Sequence, residues 1–132
     1  MTEPAYLTAD EVFALYAAVF ACTAAQAENQ LRSRAGLESA LARPQFYAHY
    51  EDADLAIQAA VLAHGIAETQ PFIEGNKRTA LACLALFLDL NGYTLTAPQQ
   101  ERMEWMLSLA EGATAEALAE RIRACLKPAD GG

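Results

Sequence analysis

Helical spacing of the apolar residues runs through almost the whole chain, and it constrains the fold more than any other feature of the sequence. Residues 93–96 are the one stretch with the alternation of apolar and polar residues typical of a strand. Elsewhere apolar residues recur three and four positions apart, as on one face of an α-helix. Alanine supplies much of the 54% hydrophobic content, and its small side chain suits closely packed helices. The sequence therefore predicts an all-α bundle.

Capping and helix-breaking residues divide the first half of this pattern. Residues 8–11 form a capping box that opens a first helix. Residues 22–36 are rich in alanine and polar side chains, and they predict only a weak helix or a loop. Residues 37–43 predict a short helix that ends at Pro44. Acidic residues at 52 and 54 open a second long helix, as the helix dipole favours.

The helix predicted over residues 77–90 is apolar on two faces, which indicates a buried, central position. These faces consist of Leu81, Leu84 and Leu88, and of Cys83, Phe87 and Leu90. Two later helices begin at Pro98 and Thr114. Their predicted inward residues are Met103, Met106, Leu107 and Ala110 in the first, and Leu118, Ile122 and Cys125 in the second. Residues 128–132 are predicted to be a disordered tail.

Residues 70–80 carry the strongest functional signal. Pro71 and Gly75 interrupt regular structure, and the apolar helical pattern resumes directly after Asn76. A loop that ends in Gly-Asn-Lys-Arg at a helix start directs free backbone N–H groups and two cations to one place, which suits a phosphate. Glu74 adds a carboxylate of the kind that Mg²⁺ prefers. These are components of a phosphoryl or nucleotidyl transfer site.

The residues alone also allow a simpler interpretation of this loop. Lys77 and Arg78 are then two solvated charges, although the helix dipole disfavours cations in a first turn. Asn76 is then an ordinary N-cap, and Glu74 is a surface acid. Phe72 is a core residue that anchors the loop under either interpretation.

The stretch Phe72-Ile73-Glu74-Gly75-Asn76-Lys77-Arg78-Thr79-Ala80 resembles the core motif of the Fic/Doc superfamily. Asn-Lys-Arg, where Fic proteins have Asn-Gly-Arg, is similar to the Doc (death-on-curing) branch. Residues 6–8, 36–44, 64–67 and 90–93 also look like Doc-type proteins. The resemblance covers roughly residues 5–126. It implies a single domain over residues 1–132, with a Fido-type helical bundle around the buried helix at 77–90.

The resemblance also implies a reaction. Doc-type toxins use ATP and Mg²⁺ to phosphorylate a protein hydroxyl, and elongation factor Tu is the family's known substrate, so that translation is blocked. Glu74 would hold Mg²⁺, Asn76 and the amides of residues 75–77 would bind phosphate, and Lys77 and Arg78 would bind phosphate and neutralise developing charge. Fic adenylyltransferases have a second arginine where this chain has Leu81, which favours transfer of phosphate over AMP.

A separate inhibitor is expected as well. Some Fic proteins carry an internal inhibitory helix with the pattern Ser/Thr-x-x-x-Glu-Gly/Asn, and no stretch of this sequence matches it. The resemblance therefore implies a Phd-like or other small antitoxin as partner.

Gln70 is the main departure from the family motif, which begins His-x-Phe. That histidine is the general base for the attacking hydroxyl, and a neutral amide has no usable basicity near pH 7. His64 is a conceivable replacement, although a structural role is the simpler prediction. Arg32 and Arg34 resemble family arginines but receive no role. Two alternatives therefore stay open: a non-catalytic nucleotide- or peptide-binding module, and a protein nucleotidyltransferase (AMPylator).

Composition limits which classes of partner and which cellular compartment are expected. The net charge of −8 argues against direct nucleic-acid binding. Three cysteines without CxxC spacing predict neither disulfides nor a zinc site, and Cys83 and Cys125 are predicted to be buried in the core. The sequence shows no signal peptide and no membrane-spanning apolar stretch, so a cytoplasmic protein is expected.

Overall fold

The computed structural model describes residues 3–129, and within that range it confirms the all-α prediction. Seven helices are joined by short loops. Residues 93–95 pair with residues 126–128 in a two-stranded sheet. The elements are α1 (Ala9–Phe20), α2 (Ala24–Asn29), α3 (Arg34–Tyr50), α4 (Leu55–Thr69), α5 (Asn76–Leu90), β1 (Tyr93–Leu95), α6 (Gln99–Ala110), α7 (Ala115–Cys125) and β2 (Leu126–Pro128).

Local caps determine most of the helix starts. The Thr8 hydroxyl accepts from the Glu11 N–H at 3.2 Å, and the Glu11 carboxylate accepts from the Thr8 N–H at 2.8 Å. A second capping box, formed by Thr23 and Gln26, begins α2 inside the segment for which only a weak helix or loop was predicted. Side-chain caps of this kind satisfy N–H groups that a helix leaves unpaired, so even a short helix is stabilised.

The prediction that Pro44 ends a helix is wrong. Helix α3 continues through Pro44 to Tyr50, and the proline ring is buried. A proline in a helix interior removes one hydrogen bond and costs roughly 3 kcal/mol. Packing against α4 offsets that cost: Gly65 of α4 lies so close to α3 that an added Cβ would be 3.1 Å from Ala40 and from Arg43. Tertiary contact therefore overrides the local signal.

Helices α4 and α5 together form the centre of the molecule. Helix α5 is buried on two sides, as predicted, except that Leu90 is 44% exposed rather than inward. Helix α4 is the more buried of the two, because nine of its 15 residues are buried against seven of 15 in α5. The prediction of a buried helix after the loop is confirmed, but α4 shares the central position.

The predicted inward face of α6 is partly wrong. Met106 is buried, but Leu107 is 52% exposed and Ala110 is also exposed. Trp105 and Leu109 are buried in their place. Trp105 is the largest side chain available to this helix, and turning it inward moves Leu107 to the opposite side, since each residue rotates by about 100° around the helix axis.

The candidate strand at residues 93–96 forms over Tyr93–Leu95, and its partner is the segment after α7. Strands β1 and β2 pair antiparallel, with Tyr93 opposite Pro128 and Leu95 opposite Leu126. The Ala129 N–H donates to the Gly92 carbonyl at 2.9 Å. The predicted disorder is therefore wrong for residues 128–129, and residues 130–132 lie outside the described residues. Between residues 3 and 129, no helix combines the length and the apolar character that crossing a membrane requires.

Candidate functional site

The loop between α4 and α5 borders a cleft of about 560 Å³. The end of α4, the first turn of α5 and the end of α6 form its walls. All of the predicted site residues line this cleft, together with His64 and Glu68 of α4; they are Gln70, Glu74, Gly75, Asn76, Lys77 and Arg78. The fold thus brings the whole predicted set to one place.

Two side chains hold the loop in shape. Phe72 is fully buried, with its ring stacked on Tyr16 at 4.5 Å between centroids. The Asn76 side chain accepts from the Phe72 N–H at 3.0 Å and donates to the Phe72 carbonyl at 2.9 Å. Phe72 is therefore a core anchor as predicted, whereas Asn76 is not the N-cap. Gly75 is the N-cap, with φ at +81°, because the Asn76 amide is engaged in closing the loop.

The first turn of α5 leaves backbone donors unpaired. The Thr79 N–H makes the first helical bond, to the Gly75 carbonyl at 2.9 Å, and no side chain caps this end. Within residues 3–129, the N–H groups of Asn76, Lys77 and Arg78 have no hydrogen-bond acceptor. Free N–H groups at the N-terminus of a 15-residue helix form an anion-binding position.

Two cations stand beside these amides. Lys77 and Arg78 are exposed, and neither forms a salt bridge with any residue in the described part of the chain. The Arg78 guanidinium lies over the Phe20 ring, 4.7 Å from its centroid. Both positive charges therefore remain available to a ligand in the cleft.

Glu74 is exposed at the rim of the same cleft. Its backbone carbonyl accepts from the Tyr16 hydroxyl at 3.2 Å, and its carboxylate forms no salt bridge with any residue between 3 and 129. Burial raises the pKa of Tyr16, and the Glu74 charge adds to that rise, so the hydroxyl remains a donor at neutral pH. No group of three His, Cys, Asp or Glu side chains able to hold a metal occurs in residues 3–129. One carboxylate fits Mg²⁺ where phosphate oxygens and waters complete its shell.

Gln70 is the C-cap of α4 and adopts a left-handed conformation, with φ at 45°. Arg32 holds it there. The Arg32 Nη2 and Nε atoms donate to the Gln70 carbonyl at 2.5 and 3.1 Å, and Nη2 also reaches the Thr69 carbonyl at 3.3 Å. The Arg32 N–H donates to the Pro71 carbonyl at 2.6 Å. The sequence had assigned Arg32 no role, although a cation at a helix C-terminus is the usual partner of its free carbonyls.

The other candidates lie further from the loop. Arg34 pairs with Glu28 and Glu38 at the surface instead of entering the cleft. His64 also lines the cleft, but it lies six residues before Gln70 and so roughly 9 Å away along the helix axis. In its neighbourhood Arg43 bonds to Glu68 at 2.6 Å and lowers the pKa of that carboxyl. This spacing does not put His64 in the position of Gln70.

The cysteines take no part in the site. All three are free, and Cys83 is buried as predicted, which raises the pKa of its thiol to about 12. Cys125 is only partly buried, since it lies at the end of α7 where the chain turns into β2. His49 is exposed and does not line this cleft.

Comparison with known proteins agrees with this arrangement. The family model described as Fic/DOC family matches residues 6–88, from the segment before α1 into α5, including the whole loop. Toxin Doc of Mycolicibacterium smegmatis (strain ATCC 700084 / mc(2)155) is 39% identical over 72 residues, which cover 53% of this chain and 55% of that protein. The chain thus matches about half the length of this curated relative. Since the family match spans well over half of the chain, the protein belongs to the Fic/DOC family.

Proposed function

We propose that this protein is a Doc-type toxin whose loop binds the phosphates of ATP together with Mg²⁺. The observation that carries the proposal is the set of three unpaired N–H groups at the start of α5. They lie beside Lys77 and Arg78, neither of which forms a salt bridge within residues 3–129. A helix N-terminus with two free cations favours anions, and several charges on one ligand, as in the phosphates of ATP, match this arrangement. The name Toxin Doc of the relative supports the toxin assignment.

The reaction class is transfer of the terminal phosphoryl group of ATP to a protein hydroxyl. The acceptor oxygen forms a bond to the γ-phosphorus, the bond to ADP breaks, and the hydroxyl proton passes to solvent water, because Gln70 does not accept it. Lys77 and Arg78 stabilise negative charge on the transferring group. The Glu74 carboxylate would hold Mg²⁺, which supplies charge neutralisation when bound. By resemblance to the family, the acceptor would be elongation factor Tu and translation would stop.

Gln70 limits this chemistry. Arg32 fixes the backbone of residue 70, and that residue lines the cleft where the family has its base. The amide of glutamine does not accept the hydroxyl proton, and loss of a positioned base lowers a rate by roughly 10²–10⁴. A protein that binds nucleotide but transfers phosphate slowly is the expected result. The same residue favours a second candidate function, a non-catalytic binding module of this fold.

The partner of such a toxin would be a small antitoxin, Phd-like or of another type. The sequence lacks the inhibitory helix of some Fic proteins, so control of activity is expected from outside the chain. Either candidate function is compatible with such a partner, and catalysis therefore has to be measured directly.

The test uses ATP labelled in the α- or the γ-phosphate, with Mg²⁺ and elongation factor Tu. Gln70→His is expected to raise transfer of the γ label by roughly two to four orders of magnitude over the parent, because imidazole titrates near neutrality. The matched control is Gln70→His combined with Arg78→Ala, which restores the base but removes a phosphate contact and should stay inactive. In cells, Gln70→His should slow growth unless a small antitoxin is co-expressed.

Each result identifies one function. Transfer of the α label would assign a nucleotidyltransferase (AMPylator) instead. Nucleotide binding with no transfer by either protein would assign the binding module. Absence of any Mg²⁺–ATP binding by the parent would rule out the proposed site.

A further inference from the structure

We propose that Phe20 is a positioning residue for Arg78 and for the loop at Gly75. In the parent protein its ring keeps the guanidinium at the cleft while leaving the charge and the N–H donors of Arg78 free for an anion. The role of the cleft as a phosphate site rests on the function proposed above. The geometry that Phe20 imposes on Arg78 does not depend on it.

An aromatic column leads from the core to this arginine. The Tyr16 ring stacks on the buried Phe72 ring at 4.5 Å, and the Phe20 ring lies 4.4 Å from Tyr16. The Arg78 guanidinium follows at 4.7 Å from the Phe20 centroid. Tyr16 and Phe20 are four residues apart on α1, so they lie on the same face of the helix. The column thus couples the position of the cation to a fully buried anchor.

The same ring also restricts the loop. A Cβ atom added at Gly75 would lie 2.5 Å from the Phe20 Cζ atom, well inside any permitted contact. Gly75 has φ at +81°, a conformation that L side chains rarely adopt. Phe20 therefore occupies the space in which a side chain at residue 75 would lie, and it packs directly on the residue that caps the anion-binding helix.

Contact with an aromatic face leaves the charge of an arginine available to a ligand, whereas an ion pair neutralises that charge. The guanidinium of Arg43 is bound by Glu68 at 2.6 Å, which neutralises its charge. The Arg78 guanidinium makes no side-chain hydrogen bond and no salt bridge to any described residue. An aromatic ring has no acceptor that neutralises the charge, so the contact with Phe20 at 4.7 Å leaves the N–H donors of Arg78 to a ligand. Restricting a long side chain before the ligand arrives lowers the entropy lost on binding.

The test compares Phe20→Leu, which removes the aromatic face, with Phe20→Tyr, which keeps it. Phe46→Leu is the matched control, because Phe46 is an exposed aromatic residue that does not line this cleft. The first measurement needs no ligand: NMR of the Arg78 Nε–H group. Ring-current shielding should move this signal upfield in the parent, in Phe20→Tyr and in Phe46→Leu, and Phe20→Leu should abolish the shift.

The second measurement is calorimetric titration with Mg²⁺–ATP. Phe20→Leu is expected to weaken binding by about three- to tenfold, as for loss of one cation–π contact and its ordering effect, while Phe20→Tyr and Phe46→Leu bind like the parent. An unshifted Arg78 signal in the parent, or equal binding by Phe20→Leu and parent, would overturn the inference. Failure of the parent to bind Mg²⁺–ATP would remove the proposed function, whereas the NMR result would still decide whether Phe20 positions Arg78.

Discussion

At the scale of single residues, backbone conformation at two positions determines the shape of the site. Gln70 and Gly75 both have positive φ, one at the end of α4 and one at the start of α5. The loop between them joins α4 to α5, and the C-terminus of one central helix and the N-terminus of the other border one cleft. Arg32 stabilises the first of these turns through the Gln70 carbonyl, and Phe20 packs on the second.

Gly75→Ala is expected to disturb the loop more than the same change at a comparable glycine. Gly92 has a similar φ, at +86°, but no atom lies within 4 Å of a Cβ added there. Both variants carry backbone strain of about 1–2 kcal/mol, and only Gly75→Ala adds the clash with Phe20. Thermal unfolding should show Gly75→Ala as the less stable, and titration with Mg²⁺–ATP should show weaker binding for it alone. Equal behaviour of the two variants would contradict the close packing of Phe20 on the loop.

At the scale of secondary-structure elements, one residue both begins α4 and connects it to α7. The Asp54 side chain accepts from the Ile57 N–H at 3.0 Å and from Arg123 at 3.0 and 3.2 Å. The hydrogen bond from Arg123, more than the cap itself, holds the pKa of Asp54 below its ordinary range. The start of the most buried helix is thus linked to a helix that follows much later in the chain.

This link makes stability depend on pH in acid. Because the folded-state pKa of Asp54 is lowered, its contribution is complete above the ordinary aspartate value near pH 4 and is lost as pH falls further. The pair is exposed, so it should contribute at most about 1 kcal/mol. Asp54→Asn keeps a capping side chain and should lose this acid-dependent part of the stability. Asp54→Ala should lose about 1 kcal/mol more, through the missing cap.

The measurement is the free energy of unfolding in denaturant at pH 7 and at pH 3. The gap between parent and Asp54→Asn should shrink on acidification, whereas the gap between Asp54→Asn and Asp54→Ala should persist. A parent whose advantage over Asp54→Asn grew in acid would show that the sign of the pKa shift is wrong.

At the scale of the whole molecule, the core and the site share the same two helices. Helix α5 presents its N-terminus to the cleft and buries Leu84, Phe87 and Leu88 completely. Helix α4 ends at Gln70 and packs against α3, α5, α6 and α7. Packing of both helices in the core therefore determines where the free amides at the start of α5 lie relative to residue 70.

Leu84 and Leu107 both lie in helices, but only Leu84 is buried. Comparing the same substitution at the two positions therefore tests how much burial contributes to stability. Leu84→Ala should lower the free energy of unfolding by roughly 2–5 kcal/mol, because Leu84 is fully buried and its truncation leaves a cavity. Leu107→Ala makes the same chemical change at a helix position that is 52% exposed, and it should alter stability by at most about 0.5 kcal/mol. Denaturant unfolding of both variants checks this. A large loss at Leu107 would restore the inward position that the sequence had predicted for it.

The sequence by itself determined the helix ends and the loop motif, because these features depend on residues close together in the chain. The capping box at Thr8 and the cap at Thr114 begin helices because their hydroxyls reach N–H groups three residues ahead. The Asn91-Gly92 pair ends α5 for an equally local reason. The grouping of Glu74 with the residues up to Arg78 follows from their adjacency in one loop. The membership of the chain in its family follows from the same short stretch and the segments around it.

The tertiary structure alone decided what depends on residues far apart in the chain. Helix α3 continues past Pro44 because α4 packs against it. Burial of Trp105 determines which face of α6 points into the core. Arg32 reaches Gln70 across 38 positions, and Phe20 of α1 meets Arg78 of α5. No spacing rule relates such pairs, because the energy of packing belongs to the whole arrangement of helices and not to any one segment.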